Sequence, residues 1–365
     1  MKLISPVFLS LLACLSCVDP VVPVYDYATG FVLVEGQIVD RPGYSRVSVR
    51  ESALEYGTYR LRPIENAAVS SVGDDGTEVA WTPDETGTFL PPATFFARGG
   101  VSYHVRVALP GGGLVESAPE LTPTPVDLTP LRLRFEQEAY FSSDYDRYVP
   151  AFTLLTDVAD PAGETNALRY AYRTWSQTST CFTCQYSIYR NGACITTPGS
   201  RNVPRYDYPC DSTCWTISRS TRVELLSDAL NPGGTIRDVP AARIDFVGSG
   251  GLLAEVEQYS ISPAAYAYYG VLRDLTEGSG GLNAPLPAPL YGNLRRVDDE
   301  SVAVLGFVSV SALSTRRLYW DRDLIDGTPL IAPQAPVREP VDPSPPTAPC
   351  AGPNRTTQTP EGWNP

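Results

Sequence analysis

Apolar and polar residues alternate along several short segments near the start of the chain. In the segment VSYHVRVA at residues 101–108, every second residue is apolar. The segments FVLVEGQIV at 31–39 and RVSVR at 46–50 are also rich in β-branched residues. A period of two is typical of a strand with one buried face, and turn residues such as GDDG at 73–76 separate the strands. Residues 31–118 are therefore predicted to form an immunoglobulin-like β-sandwich.

A proline-rich segment, PELTPTP at residues 119–125, marks a boundary, because proline cannot donate to a strand ladder and favours extended chain. The region 126–332 has further strand-like runs, including LRLRF at 131–135 and LRYAYR at 168–173. It is predicted to be a second β-rich domain with one or two short helices, so the fold class is mainly β. Residues 333–365 are rich in proline and are predicted to form an irregular tail.

One segment of the second region has the spacing of a helix. Ser262 can cap its start and Pro263 suits the first helical position. Apolar residues then recur at intervals of three or four: Ala265, Tyr268, Leu272 and Leu275. Gly278 is expected to end this helix.

Residues 1–17 have the features of a secretory signal peptide: Lys2, an apolar stretch, then small residues and cysteine. Two cysteines could become the lipidated first residue of the mature chain. Cys14 has the better local pattern, with Leu11 and Ala13 before it. Cys17 is preferred because it leaves an even number of cysteines, which can pair completely. Residues 18–30 are then a tether, and the alternative is an ordinary cleaved signal on a freely secreted protein.

The other cysteines are candidates for disulfides: Cys181, Cys184, Cys194, Cys210, Cys214 and Cys350. Most of them fall in the segment 178–216, which is polar and aromatic and has few aliphatic residues to hold it together. Export places the chain in an oxidising compartment, so this segment is predicted to be a disulfide-stapled insert. A metal site is the alternative, but no histidine lies near enough to complete the usual ligand sets. The connectivity stays open.

The charge of the chain excludes one class of partner. The formal net charge is −13, and no basic stripe offsets it, so nucleic acid is not expected to bind. Lys2 is the only lysine, and every other basic residue is an arginine. Arginines scattered singly along strands are interpreted as carrying no information about a site.

Candidate catalytic residues are few. His104 is the only histidine, and it shares the polar face of its strand with Ser102 and Arg106, so it is predicted to be a surface residue. The sequence has no nucleophile elbow, phosphate-binding loop or dinucleotide fingerprint. No pair of carboxylates can be singled out. The protein is therefore predicted not to be an enzyme and to need no cofactor or metal, with a carboxylate-based hydrolase as a remote alternative.

Several segments resemble the Bacteroidota outer-membrane lipoproteins of the domain-of-unknown-function 4249 family. They are LVEG at 33–36, CW at 214–215, YSISPAAY at 259–266, TEGSGGL at 276–282, PAPLYGNL at 287–294 and VLGFVSVS at 304–311. Their order and spacing carry the resemblance, which covers nearly the whole mature chain. The tail departs from it: the family tends to end with two nearby cysteines and a tryptophan. Here Cys350 alone precedes Trp363, so its partner is open.

The resemblance implies an accessory lipoprotein, anchored in the outer membrane and facing the cell surface, beside a SusC-type TonB-dependent transporter. It brings no catalytic residues. Aromatic side chains could line a binding surface for the transported ligand: Trp175, Trp215, Tyr266, Tyr269 and Tyr291. Equally, they could fill the core. The main alternative is a structural or assembly lipoprotein of an outer-membrane complex with no small-molecule ligand.

Overall fold

The chain is described by a computed structural model over most of its length. The described residues are 30–160, 167–180, 184–185, 188–190, 193–195, 206–207, 212–228, 234–277, 290, 292–299, 301–330, 350 and 354–364. Within these ranges the protein is mainly β, with a single α-helix. The predicted fold class is confirmed.

The strands follow one another along the chain in three groups. The first group is β1 (Val32–Val39), β2 (Arg46–Glu55), β3 (Thr58–Pro63), β4 (Ala68–Gly73), β5 (Glu78–Pro83), β6 (Thr88–Leu90), β7 (Ser102–Ala108), β8 (Leu114–Ser117) and β9 (Glu120–Leu121). The second is β10 (Arg132–Ser142), β11 (Arg147–Asp160), β12 (Ala167–Thr180), β13 (Cys184–Gln185), β14 (Ile188–Arg190), β15 (Ala193–Ile195), β16 (Tyr206–Asp207), β17 (Ser212–Arg219), β18 (Glu224–Ser227), β19 (Gly234–Asp245) and β20 (Gly251–Ile261). Helix α1 (Pro263–Glu277) precedes β21 (Leu294–Arg296), β22 (Val304–Leu305), β23 (Val308–Asp321), a 3-10 turn (Arg322–Leu324) and β24 (Arg355–Thr356).

The first group builds two sheets that face each other. One contains β1, β2, β3 and β6, and the other contains β4, β5, β7, β8 and β9; β5 also pairs with β6, which joins the two sheets. The core between them is formed by the inward residues of both sheets, including Val34, Ile38, Val47, Val49, Val69, Trp81, Tyr103, Val105 and Val107. Strand β7 buries every second residue, which confirms the alternation predicted at 101–108.

Later strands complete this first sandwich. Strand β21 pairs with β8, while β22 and the first residues of β23 lie parallel to β1. Val308 and Val310 are buried in the same core as Val34. Gly306 has a φ of +105°, and a Cβ there would lie 2.0 Å from the carbonyl oxygen of Val34, so a side chain would clash. The first sandwich therefore includes strands that the sequence pattern assigns to the second region.

The second sandwich packs a three-stranded sheet, β10–β11–β19, against a larger sheet that contains β12, β17, β18, β20, β24 and the rest of β23. Aromatic rings fill its core: the Phe152 ring lies 5.3 Å from that of Trp320 and 5.0 Å from that of Phe246, centroid to centroid. Two further strand pairs, β13–β16 and β14–β15, lie in the predicted insert.

Helix α1 begins at Pro263, as predicted. The Ser262 hydroxyl accepts a hydrogen bond from the backbone N–H of Ala265, with 3.0 Å between N and Oγ. Ala265 and Tyr268 are buried, and the Tyr268 ring stacks on Phe307 with 4.8 Å between centroids. The helix ends at Glu277, and Gly278 lies outside the described residues. In the described ranges, no helix has the length and apolar character needed to cross a bilayer.

Candidate functional site

Three adjacent strands of the second sandwich place an alternating set of charges side by side. Arg173 of β12 is the cross-strand neighbour of Glu255 in β20, and Glu255 is the neighbour of Arg317 in β23. Directly opposed residues project from the same face of a sheet, so the carboxylate lies between two guanidinium groups. This face points away from the core around Phe152 and towards the first sandwich.

Glu255 is almost completely buried, with 3% of its side chain exposed. Arg173 donates from Nε to its Oε1 at 2.7 Å, and Arg317 donates from Nε to its Oε2. Tyr44, in the turn between β1 and β2, also donates its hydroxyl to Oε1 at 3.3 Å and accepts from Arg173 at 2.7 Å. We call Tyr44, Arg173, Glu255 and Arg317 the Glu255 network. It ties the first sandwich to the second by charge-assisted hydrogen bonds.

The surroundings of the Glu255 network raise the pKa of Arg173 and the pKa of Tyr44. Burial is the largest influence on the pKa of Arg173 and acts to lower it, but the charge and hydrogen bond of Glu255, with the charges of Tyr44 and Glu257, together outweigh burial, and the pKa is raised. Burial raises the pKa of the Tyr44 hydroxyl, and the charge of Glu255 adds to that shift, so Tyr44 stays protonated. The Trp175 ring lies 5.4 Å from the Arg173 guanidinium and 5.5 Å from that of Arg317, which adds cation–π attraction.

Beside the network lies a cleft of about 370 Å³, which we call the arginine cleft. Its walls come from the outer face of β1, β2 and β6, from β12 and from helix α1. The lining residues are Glu35, Gly36, Gln37, Arg46, Ser48, Arg50, Thr88, Arg169 and Tyr269. Arg46, Ser48 and Arg50 alternate along β2 with the buried Val47 and Val49, so they face outward together. The cleft is polar and carries three guanidinium groups.

Arg169 is held at the back of the arginine cleft by neutral groups. One of its terminal nitrogens donates to Oε1 of Gln37 at 2.8 Å. Its guanidinium carbon lies 4.3 Å from the ring centroid of Tyr259 and 5.0 Å from that of Tyr269. Its Nε is buried and has no hydrogen-bond partner within the described part of the chain. None of the described carboxylates forms an ion pair with it.

The five aromatic residues predicted to bind ligand do not lie together in the structure. Tyr269 lines the arginine cleft, and Trp175 lies against the arginines of the Glu255 network. Trp215 is buried beside Trp175 and Leu253. Tyr266 is half-buried and packs against the core under helix α1, and Tyr291 lies outside the described residues.

Two of the candidate cysteines are joined. Cys214 and Cys350 form a disulfide with 5.7 Å between their Cα atoms, so Cys350 pairs across 136 residues. The side chains of Cys184 and Cys194, and the whole of Cys181 and Cys210, lie outside the described residues, as do Cys14 and Cys17. Trp363, near the end of the chain, packs against the second sandwich: its ring lies 5.2 Å from that of Tyr319, centroid to centroid.

The arginines were the residues that sequence reasoning missed. The alternation in RVSVR already placed Arg46 and Arg50 on one outward face, and that signal could have marked a charged surface. His104 lies in the half-buried outward row of β7. Over the described ranges, no group of three or more histidines, cysteines or carboxylates is arranged to hold a metal ion.

Comparison with known proteins places the chain in a family. No curated protein matches it. The family described as Domain of unknown function (DUF4249) matches residues 18–317, a range that includes β1 to β22, the helix and most of β23. Because this match extends over more than half of the sequence, the chain belongs to the DUF4249 family.

Proposed function

We propose that this protein is a non-catalytic accessory lipoprotein of the outer membrane that binds a SusC-type TonB-dependent transporter, its ligand or both. The observation that carries the proposal is the order of features along the chain. A signal-like segment ends in cysteine at position 14 or 17, and the family region begins directly after it, at residue 18. Acyl chains on that cysteine would hold the two sandwiches at a membrane surface.

The geometry of the Glu255 network supports a structural role for its carboxylate over a catalytic one. Both carboxylate oxygens of Glu255 accept hydrogen bonds from arginines, and neighbouring strands fix all three side chains. A carboxylate that acts as an acid or base needs access to substrate. Glu255 is instead enclosed and paired, which suits a group that stabilises the contact between two sandwiches.

An assembly role without a small-molecule ligand is the second candidate, and one surface favours it. Phe141 of β10 and Tyr148 of β11 are cross-strand neighbours on one face of the hairpin, with ring centroids 5.6 Å apart in an edge-to-face contact. Both are about half exposed, at 53% and 55%. Exposed aromatic pairs of this kind are enriched at protein–protein interfaces.

The test is a pull-down from detergent-solubilised outer membranes with a tagged full-length chain. Recovery of a SusC-type barrel supports the proposal, and recovery of the lipoprotein alone contradicts it. The variant Phe141→Ser/Tyr148→Ser asks whether the aromatic hairpin makes the contact, and Tyr56→Ser is its matched control because Tyr56 is fully exposed on the β2–β3 turn. Loss of the barrel in the first variant only would assign the interface to the β10–β11 hairpin.

The anchor has its own test. Metabolic labelling with a fatty acid should persist in Cys14→Ala and disappear in Cys17→Ala, since Cys17 leaves the remaining cysteines even in number. The reverse pattern would move the anchor to Cys14. A chain unlabelled in both the wild type and the variants would contradict the lipoprotein assignment.

A further inference from the structure

We propose that the arginine cleft is a binding site for a small oxyanion, a carboxylate or phosphate on a molecule about the size of a monosaccharide. The site lies between the first sandwich and helix α1, and its ligand would contact both. This inference does not depend on the transporter partner, because the cleft is formed within the single chain.

The balance of charge in the cleft is the first argument. Three arginines line it, against one carboxylate, that of Glu35. Other arginines in the described ranges have acceptors: Arg132, Arg173 and Arg296 are paired with carboxylates at 3.1 Å or less, and Arg316 and Arg322 donate to backbone carbonyl oxygens. Within those same ranges, Arg46, Arg50 and Arg169 have no carboxylate within 4 Å. In a chain of net charge −13, these three cations give one cleft a local excess of positive charge that an anion would neutralise.

The environment of Arg169 is the second argument. It is half-buried between two tyrosine rings, and its hydrogen bond goes to a neutral amide. A guanidinium group has five N–H donors in a fixed plane, and burying them without acceptors is costly. Its Nε is one such donor without an acceptor among the described residues. A carboxylate or phosphate in the cleft would supply acceptors in the bidentate geometry that guanidinium prefers.

Repulsion between neighbouring arginines is the third argument. Arg219, on β17, is partly buried, and burial lowers its pKa; the charges of Arg46 and Arg173 lower it further, although the charge of Glu257 opposes them. Arg46 therefore acts on a second, partly buried arginine as well as on the cleft that it lines. A bound anion would relieve this repulsion, so binding should also stabilise the fold.

The size and shape of the cleft limit the ligand. A volume of about 370 Å³ is at the lower end of the range for small-molecule sites. Ser48 and Thr88 add hydroxyl groups to the wall, and Tyr269 adds an aromatic edge. These groups suit a compact polar molecule that carries one or two negative charges.

The experiment is isothermal titration calorimetry on the detergent-purified full-length protein at low ionic strength, about 20 mM, where screening is weak. The probes are inorganic phosphate, glucuronate and glucose. Glucose has the hydroxyl groups of glucuronate without its carboxylate. We expect saturable binding of phosphate, glucuronate or both, and none of glucose. Tighter binding of phosphate would indicate that the natural ligand is a phosphate ester, and tighter binding of glucuronate would indicate a sugar acid.

Variants make the proposal falsifiable. Arg46→Gln/Arg50→Gln should lower the affinity by about tenfold or more, because each guanidinium contributes a charge-assisted hydrogen bond. Both residues lie on the outer face of β2, so this variant should fold even if Arg169→Gln does not. Arg134→Gln, on exposed β10, is the matched control and should bind as the wild type does. Absence of binding by either anion up to about 10 mM, or equal weakening in the control, would overturn the proposal.

Discussion

The carboxylate of Glu120 accepts a hydrogen bond from the hydroxyl of Ser262, with 2.6 Å between Oε1 and Oγ across 142 residues of sequence. Its other oxygen, Oε2, accepts from the backbone N–H of Val310 at 2.9 Å. One buried side chain thus joins the end of the first sandwich, the cap of helix α1 and the strand that the two sandwiches share.

This arrangement predicts a pH dependence of stability. Burial raises the pKa of Glu120 above its ordinary value, although its two hydrogen bonds oppose the shift. A raised folded-state pKa contributes stability that is fully present below the unfolded-state pKa, about 4.3, and is lost as the pH rises through the folded-state value. The free energy of unfolding of the wild type, relative to Glu120→Gln, should therefore fall as the pH rises from about 4 to about 7.

Urea denaturation of both proteins across that range measures the difference. Glu138→Gln, at an exposed position of β10, is the control, and its free energy of unfolding should change with pH as that of the wild type does. A Glu120→Gln difference that stays constant or grows with pH would show that Glu120 does not titrate with a raised pKa.

The Glu255 network should contribute strongly to stability. Glu255→Gln keeps the size of the side chain but leaves Arg173 and Arg317 without their carboxylate. Breaking a buried ion pair in this way typically lowers the free energy of unfolding by about 3–5 kcal/mol. Glu136→Gln, which removes a pair with Arg134 that is about half exposed, should cost about 0.5 kcal/mol or less. Equal losses in urea denaturation would mean that the network adds little.

Lysine is not expected to maintain the stability that Arg322 gives to the fold. Arg322 is buried, at 7% exposure, and its guanidinium donates to the carbonyl oxygens of Val247, Ser249, Gly250 and Gly251. Lysine has a compact ammonium group that cannot reach this spread of acceptors. Arg322→Lys should lower the free energy of unfolding by about 1–3 kcal/mol and speed amide exchange in the β19–β20 loop. Arg134→Lys is the exposed control, and unchanged exchange in Arg322→Lys would contradict the prediction.

The disulfide between Cys214 and Cys350 should stabilise the fold by restricting the unfolded chain. Cys350→Ser is expected to lower the free energy of unfolding by about 2–4 kcal/mol under oxidising conditions. Cys214→Ser and the double variant should lose about the same amount, because each removes the same bond. Additive losses in the double variant would show that the two cysteines act independently.

Local features were predictable because they depend on neighbours in sequence. The helix start at Ser262 follows from cap chemistry, and the face of β7 on which His104 lies follows from the period of a strand. The arginine cleft was not predictable in this way. Arg46 and Arg169 come from strands far apart in sequence, and nothing near either of them indicates that they line one cavity.

The sequence by itself determined which segments are strands, where the helix starts and which side chains share a face, because backbone geometry sets these periods within a few residues. The tertiary structure alone decided that Arg173, Glu255 and Arg317 are neighbours, that Cys350 reaches Cys214, and that β23 completes the first sandwich. Each strand could pair with any of several segments that are distant in sequence. The pairing is fixed by the burial and hydrogen bonding of the whole chain at once, and no local pattern contains that information.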